Sequence, residues 1–378
     1  MKLLKIVANN YKLCDKNFTI NFIPTGKKTI DDKEFELKKI DEELYTFSTL
    51  GIIGKNASGK TSTVELLSII YDIFSNFRIN NSKDLFKFID KPLKLDITFY
   101  HEGVIYRYIS TLIKNVNSVD NTSVFFKDEN IYKRLYKKTH IKNLFDYDKF
   151  EKVNFSVILP EDTSILYLLL KNITLRGIYC SSDDYIYADY VNTFNIYRLL
   201  DKNLNLLTSI LKMFDEHLLN IKMINEDKFK IIYSNNTSKE VSSYELSKIL
   251  SSGTTKGLGL FTFVVYSLKF GCDLILDEIE NHFHKNLVEN LVNLYKDKSV
   301  NKNNATLIFT THYFELLDLF RRSDNIFICK YDKTIILENM HENYKFRTEL
   351  LKSKKFYNNE FNTNVNYDAL MDFKKELM

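Results

Sequence analysis

The 378-residue sequence predicts an α/β fold, with a mixed sheet around a phosphate-binding loop, an antiparallel β subdomain and a mostly helical insertion. Three observations predict it. Residues 54–61 read Gly54-Lys55-Asn56-Ala57-Ser58-Gly59-Lys60-Thr61, a full match to G-x-x-x-x-G-K-[ST]. Apolar and polar residues alternate at 2–8, 17–23 and 93–110, the period of half-buried strands. From 246 to about 340, helix and strand signals take turns, as a sheet with crossing helices requires.

The loop has the flanks its chemistry needs. Phe47 to Ile53 reads as a short buried strand, and Thr63 to Ile70 is apolar with helical spacing. A strand, a tight turn and a helix N-terminus gather several backbone N–H groups around one small volume. The helix dipole adds partial positive charge, so a polyphosphate is the natural occupant. Lys60 is placed to reach the β- and γ-phosphates, and the Thr61 hydroxyl to ligate Mg²⁺. The binding set extends from Gly54 through Ser62.

Along the chain, 2–8 and 17–23 suggest two antiparallel strands. Residues 93–110 read as a hairpin turning at Glu102-Gly103. The pattern then loosens. We read 111–225 as a mostly helical insertion or lid, with helical segments at 163–172, 190–200 and 203–219. A second hairpin, Lys228–Ile232 with Glu240–Ser243, returns the chain to the core. The division is an N-terminal lobe at 1–110, the insertion at 111–225, a C-terminal lobe at 226–345 and a tail at 346–378 with a helix near 367–377. No linker or internal repeat interrupts it.

Composition bounds the rest. Apolar content of 44% and charged content of 27% are ordinary for a globular protein. A net charge of +4 permits a nucleic-acid partner without arguing for one. The four cysteines, Cys14, Cys180, Cys272 and Cys329, are widely spaced with no C-x-x-C pair. They read as free thiols in a reducing compartment. The N-terminus lacks the apolar run of a signal peptide, and no segment approaches the length of a membrane span. We expect a cytoplasmic protein with no membrane partner.

Hydrolysis of a bound nucleotide needs a metal carboxylate and a group that orients water. Cys272-Asp273-Leu274-Ile275-Leu276-Asp277-Glu278 supplies both, as an apolar strand ending in two carboxylates, the Walker-B arrangement. At a strand's C-terminal end Asp277 can reach the Mg²⁺ shell, and Glu278 can act as general base on the attacking water. About twenty residues earlier, Ser251-Ser252-Gly253 opens an apolar helix over 258–270. Small hydroxyl residues and a Gly at such a start make either a capped end or a second anion site. The strand Ala305–Thr311 ends at an imidazole, His312.

These motifs, in this order, resemble ABC-class ATPases, and the fold they imply is an ABC/SMC-like ATPase head. In that class the motif resembled by Ser251-Ser252-Gly253 closes on the γ-phosphate held by the loop of a second protomer. Ser251 and Gly253 match its essential Ser and second Gly, while Ser252 replaces the first Gly and Thr254 stands where Gln or Glu is usual. The resemblance makes His312 the residue that contacts the γ-phosphate. It also implies ATP and Mg²⁺ as cofactors and a homodimer with composite sites, able to assemble further. The run Asp277-Glu278-Ile279-Glu280-Asn281-His282-Phe283-His284 resembles the soluble SMC-like ATPases of bacterial anti-phage defence, of the overcoming-lysogenization and abortive-infection type. That family implies a sensor or regulator with a separate nuclease or toxin effector. It covers about 1–110 and 240–350. Residues 90–110 contain no Gln, so the Q-loop of transporters has no counterpart there.

Two other readings stay open at this level. Glu280, His282 and His284 could ligate a metal by composition, but no further ligand cluster is evident. The basic stretch Lys133, Arg134, Lys137, Lys138 and Lys142, beside Tyr132 and Tyr136, would suit an SMC-like DNA-repair ATPase with nucleic acid as partner.

Overall fold

The computed structural model describes residues 1–79, 89, 91–116, 122–171, 175–181, 198, 200–225, 228–242, 245–246, 249–281, 284–344, 351–358, 361 and 367–377. Two compact units divide the chain, 1–176 with 310–378, and 177–309. The expected segment 190–200 lies outside the described residues apart from Arg198 and Leu200, as do His282 and Phe283.

The first unit opens on β1 (Lys2–Asn9) and β2 (Phe18–Asn21), paired antiparallel as the alternation predicts. Leu4, Ile6 and Ala8 all point inward, the period-two face of a strand. After β3 (Leu37–Asp41) and β4 (Leu44–Phe47) comes β5 (Thr49–Ile53), buried along its whole length. Ser48 interrupts the single strand expected over 47–53, and its N–H donates to the Glu36 carbonyl. The phosphate loop leads into α1 (Lys60–Asn76). This helix buries Val64, Leu66, Leu67, Ile69, Ile70, Ile73 and Phe74, more than one stripe, as a helix inside a layered core must. Phe74 meets Phe99 and Tyr108 edge-on at 5.2 and 6.1 Å, which seats α1 on the antiparallel sheet.

That sheet has the order β2-β1-β6-β7-β8-β9, adding β6 (Leu93–His101), β7 (Val104–Val116), β8 (Thr122–Leu135) and β9 (Glu151–Val153). The β6–β7 turn lies at Glu102-Gly103 as expected. Both residues have positive φ, 45° and 78°, the backbone a tight two-residue hairpin demands.

The stretch 111–225 departs from the helical expectation. Strands β7 and β8 carry the sheet through it, and only α2 (Leu166–Leu170) remains of the helix expected at 163–172. The cause is a bulge. Ile109 pairs with Asn130 but Thr111 pairs with Lys127, with Asp128 at φ 55° between them. An extra residue shifts the alternation and hides the strand from a period count. Glu129 turns inward there, accepting hydrogen bonds from the Tyr108 hydroxyl at 2.6 Å, the Ser164 hydroxyl at 2.7 Å and the Ile165 N–H at 3.1 Å. Burial pushes its carboxyl above the usual range, and the three donors oppose that rise.

The second unit contains β10 (Gly177–Cys180), parallel to a later strand of the same unit. Helix α3 (Leu204–Lys212) is shorter than the expected 203–219, because β11 (Leu218–Asn225) begins there. β11 pairs with β12 (Lys228–Tyr233), which forms the expected hairpin with β13 (Ser238–Ser242). Helix α4 (Ser252–Phe270) starts six residues before the apolar run suggests, because Ser251 caps it. Its Gly257 lies against Phe214, where an added Cβ would sit 2.2 Å from the ring. Leu207, Leu211, Ile221, Phe229, Ile231, Leu258 and Phe261 form the core of this part. Next come β14 (Asp273–Leu276), α5 (Lys285–Lys296) and β15 (Leu307–Thr311). β14 runs parallel to both β10 and β15.

The chain re-enters the first unit near 310. β16 (Ile326–Asp332) runs parallel to β5, with Ile326 opposite Gly51 and Ile328 opposite Ile53. It turns at Lys333 into antiparallel β17 (Thr334–Asn339). Helices α6 (Met340–Asn343), α7 (Lys352–Tyr357) and α8 (Tyr367–Glu376) follow, the last where a tail helix is expected. Before β16, Arg322 bonds Asp324 through Nε at 2.7 Å and Nη2 at 2.5 Å, and Asp32 through Nη1 at 2.7 Å. All three side chains are nearly excluded from water, at 5%, 2% and 11% exposure. Removing the cation strands two buried carboxylates. Arg322→Ala should therefore cost about 3–5 kcal/mol in urea unfolding. A cost under about 1 kcal/mol would show that water already screens the triad.

Candidate functional site

The phosphate loop is shaped by where its carbonyls are held. In a trans peptide the C=O and the next N–H point in opposite directions, so a carbonyl fixed inward sends an amide outward. The Gly54 and Lys55 carbonyls accept from the Lys60 ammonium at 3.1 and 3.2 Å. Lys55 also accepts from the Ser58 N–H at 3.2 Å, closing the turn. The Gly59 carbonyl accepts from both the N–H and the hydroxyl of Thr63 at 3.0 Å. The Lys60 N–H must therefore face out of the helix start.

Gly59 stands at the N-cap of α1 with φ 102°, and no side chain caps the helix. An L-residue is strained at that φ, and its Cβ would lie 2.5 Å from the Ile335 side chain. A Cβ on Gly54 would lie 2.4 Å from the Cys329 carbonyl oxygen. Both motif glycines are thus demanded by the packing beneath the loop. Lys55, Asn56 and Ala57 form the exposed crest, Ser58 and Lys60 are buried, Ser62 is half-buried and Thr61 is exposed at the first turn. The result is an electropositive cradle open at a helix N-terminus, suited to a polyphosphate.

In the same unit, His312 follows β15 directly and is half-buried, and the Tyr313 N–H turns back to the Thr311 hydroxyl at 2.9 Å. Strand β15 ends one residue before the imidazole.

The second unit holds Ser251, Ser252, Gly253, Asp277 and Glu278. Ser251 is the N-cap of α4: its hydroxyl accepts from the Thr254 N–H at 3.0 Å and lies 2.7 Å from the Thr254 hydroxyl. Ser251, Ser252 and Gly253 are all exposed. Asp277 is fully buried at the end of β14, and its N–H continues the ladder to the Cys180 carbonyl at 3.0 Å. Glu278 adopts φ 49°, the left-handed region, which a non-glycine residue occupies at a cost of roughly 1–3 kcal/mol. Asn281 restrains it on both sides: its N–H donates to the Glu278 carbonyl at 2.9 Å and its side-chain amide donates to the carboxylate. The Asn281 carbonyl in turn accepts from the Lys256 ammonium at 2.9 Å. One chain of bonds therefore links the start of α4 to Glu278. Lys256 gave no sequence signal, because its partner lies 25 residues on.

His284 caps α5, accepting from the Asn286 N–H at 3.4 Å. Among the described residues, no group of three or more His, Cys, Asp or Glu is arranged to hold a metal ion. Thr61 and Asp277 offer hard oxygens of the kind Mg²⁺ takes alongside phosphate and water.

A glycine-lined loop running from a buried strand into an uncapped helix, with a buried lysine across its carbonyls, defines a P-loop nucleotide-binding protein. The comparisons narrow this further. The family model described as "AAA domain, putative AbiEii toxin, Type IV TA system" matches residues 50–318, well over half of the chain. The chain belongs to this family and is an ATP-binding protein of the ATPase class. Protein Ycf2 of Physcomitrium patens is 23% identical over 309 residues, and the chain spans only 13% of its length. Among solved structures, the SMC head domain from Thermotoga maritima aligns over 90% of this chain and 99% of its own, with TM-score 0.40 and 10% identity. The SMC head bound to the C-terminal winged-helix domain of ScpA aligns over 89% and 97%, with TM-score 0.45 and 12% identity.

Proposed function

We propose that this protein is an ABC-class ATPase that closes as a homodimer around ATP and acts as sensor or regulator in anti-phage defence, with a separate effector. The observation that carries the reading is the phosphate loop, whose glycines, buried Lys60 and outward amides form a built polyphosphate cradle. Lys60 and the outward amides of the Gly54–Ser62 stretch bind the β- and γ-phosphates. Thr61 and Asp277 would each offer a hard oxygen to Mg²⁺, which would neutralise phosphate charge. Glu278 takes a proton from the attacking water, and the Asn281 amide, donating to its carboxylate, holds it in place. His312 contacts the γ-phosphate.

Gly253 supports the shared site. It lies in the first turn of α4, where glycine adds no packing and gives up backbone entropy relative to alanine. Among the described residues an added Cβ would meet only the Ser251 hydroxyl, at 3.9 Å, so none of them requires glycine there. Close approach of a second copy's bound phosphate supplies the missing reason.

The nucleic-acid reading has less behind it. Lys138 pairs with Glu42 at 3.0 Å, Arg134 donates to the Asn143 carbonyl at 3.2 Å, and Lys133 stands opposite Glu151 in the sheet. Much of the basic stretch is engaged within the chain.

The test is Mg²⁺-dependent ATP turnover by the purified protein. Asp277→Asn should lower kcat at least about a hundredfold while the protein stays folded. Turnover that persists without Mg²⁺, or in the Asn variant, would refute the assignment. Retention of the adjacent gene's product with ATP, but not without it, is the expected sign of an effector.

A further inference from the structure

The phosphate loop rests on a hairpin that enters the sequence some 270 residues later, and that hairpin holds it by three contacts. The Cys329 thiol on β16 donates to the Ser58 carbonyl at 3.1 Å. The Cys329 carbonyl lies beneath the Cα of Gly54, and the Ile335 side chain on β17 fills the space beside Gly59. Ile335 is fixed in turn, its N–H donating to the Leu13 carbonyl at 2.8 Å and its carbonyl accepting from the Asp15 N–H at 2.9 Å.

We propose that Cys329 is a positioning residue for nucleotide binding: its S–H holds the Ser58 carbonyl inward and so aims the Gly59 N–H at the phosphate site. The peptide joining Ser58 to Gly59 is trans, so its carbonyl and amide point opposite ways. The Gly54, Lys55 and Gly59 carbonyls are held by Lys60, Ser58 and Thr63, all within the loop or its helix. The Ser58 carbonyl is instead met from β16, by a weak donor. The thiol stays a donor at neutral pH because burial pushes it up to about 11, against the opposing pull of Ser58, Thr63 and the Lys60 charge. Cys14 nearby is pushed up to about 12, also by burial first. A redox or nucleophilic role would need thiolate, which these surroundings suppress.

This inference rests on the loop being the ATP site, and the experiment separates the two. Titration calorimetry with ATP and Mg²⁺ would compare wild type, Cys329→Ala, Cys329→Ser and Lys60→Ala, with thermal midpoints recorded for each. Cys329→Ala should weaken ATP about three- to tenfold, the worth of one modest hydrogen bond. Cys329→Ser, which keeps a donor, should return affinity to within about twofold of wild type. If the Ala variant does not fold, Cys329→Val supplies similar volume without a donor. Wild-type affinity in Ala or Val, with binding lost in Lys60→Ala, overturns the role of Cys329. Equal weakening in Ser and Ala overturns it too, since packing alone would then explain the loss. Undiminished binding by Lys60→Ala would instead reject the loop as the ATP site.

Discussion

Lys60→Ala should raise the dissociation constant for ATP at least about a hundredfold, beyond the reach of routine titration. The ammonium is buried and already oriented, bridging the Gly54 and Lys55 carbonyls across the mouth of the loop. Charge-assisted hydrogen bonds to phosphate are the strong class, and each tenfold in affinity corresponds to about 1.4 kcal/mol. Two such bonds lost account for about 3 kcal/mol or more. The substitution also releases two carbonyls whose direction sets neighbouring amides, so part of the loss is in loop shape. Lys60→Arg separates the two effects. It keeps the charge but replaces a compact ammonium with a broad planar fork, which cannot bridge the same pair of carbonyls. We expect Arg to bind ATP more weakly than wild type yet measurably, and Ala not at all. Equal ATP affinity in wild type and Ala, with both folded by circular dichroism, would remove the loop from the binding site.

The shape of the phosphate loop is legible in the sequence, and particular residues show why. A phosphate loop is a local object. Its turn residues, helix start and buried strand all fall between 47 and 76, so sequence spacing maps directly onto space. The Glu102-Gly103 hairpin was legible for the same reason. Long-range support was not. In the sequence Cys329 reads only as a free thiol and Ile335 belongs to no motif, and only the fold places them against Gly54 and Gly59. The strands in 111–135 escape a period count because a bulge at Asp128 breaks the two-residue period of β8 and turns Glu129, half-buried, toward Tyr108 and Ser164. The start of α4 was misplaced because the first turns, Ser252 to Lys256, carry little apolar signal, whereas the Ser251 cap defines the end. Periodicity reports burial. It is silent on carbonyl direction, caps and contacts between distant segments.

Glu278→Gln should lower kcat about a thousandfold while leaving ATP affinity within a fewfold of wild type, because a general base contributes about 10²–10⁴ in rate. The side chain's placement survives the change. Asn281 donates its amide to one carboxylate oxygen, and the Gln carbonyl can accept the same bond. The left-handed backbone at Glu278 is kept by the Asn281 N–H, which donates to the Glu278 carbonyl and does not involve the side chain. What is lost is basicity alone, so water is no longer activated and bound ATP persists. In a shared site that persistence has a mechanical consequence. With saturating ATP and Mg²⁺ the Gln variant should accumulate as a dimer by light scattering, and EDTA should return it to monomer. The double variant Glu278→Gln, Ser251→Arg tests whether the second copy contributes its helix start, since a bulky cation there should block closure. Three results would count against the proposal: wild-type turnover in Gln, a Gln variant that stays monomeric with ATP bound, or a double variant that still dimerises. The second is the most informative, because it would keep Glu278 as the base while making each phosphate loop self-sufficient.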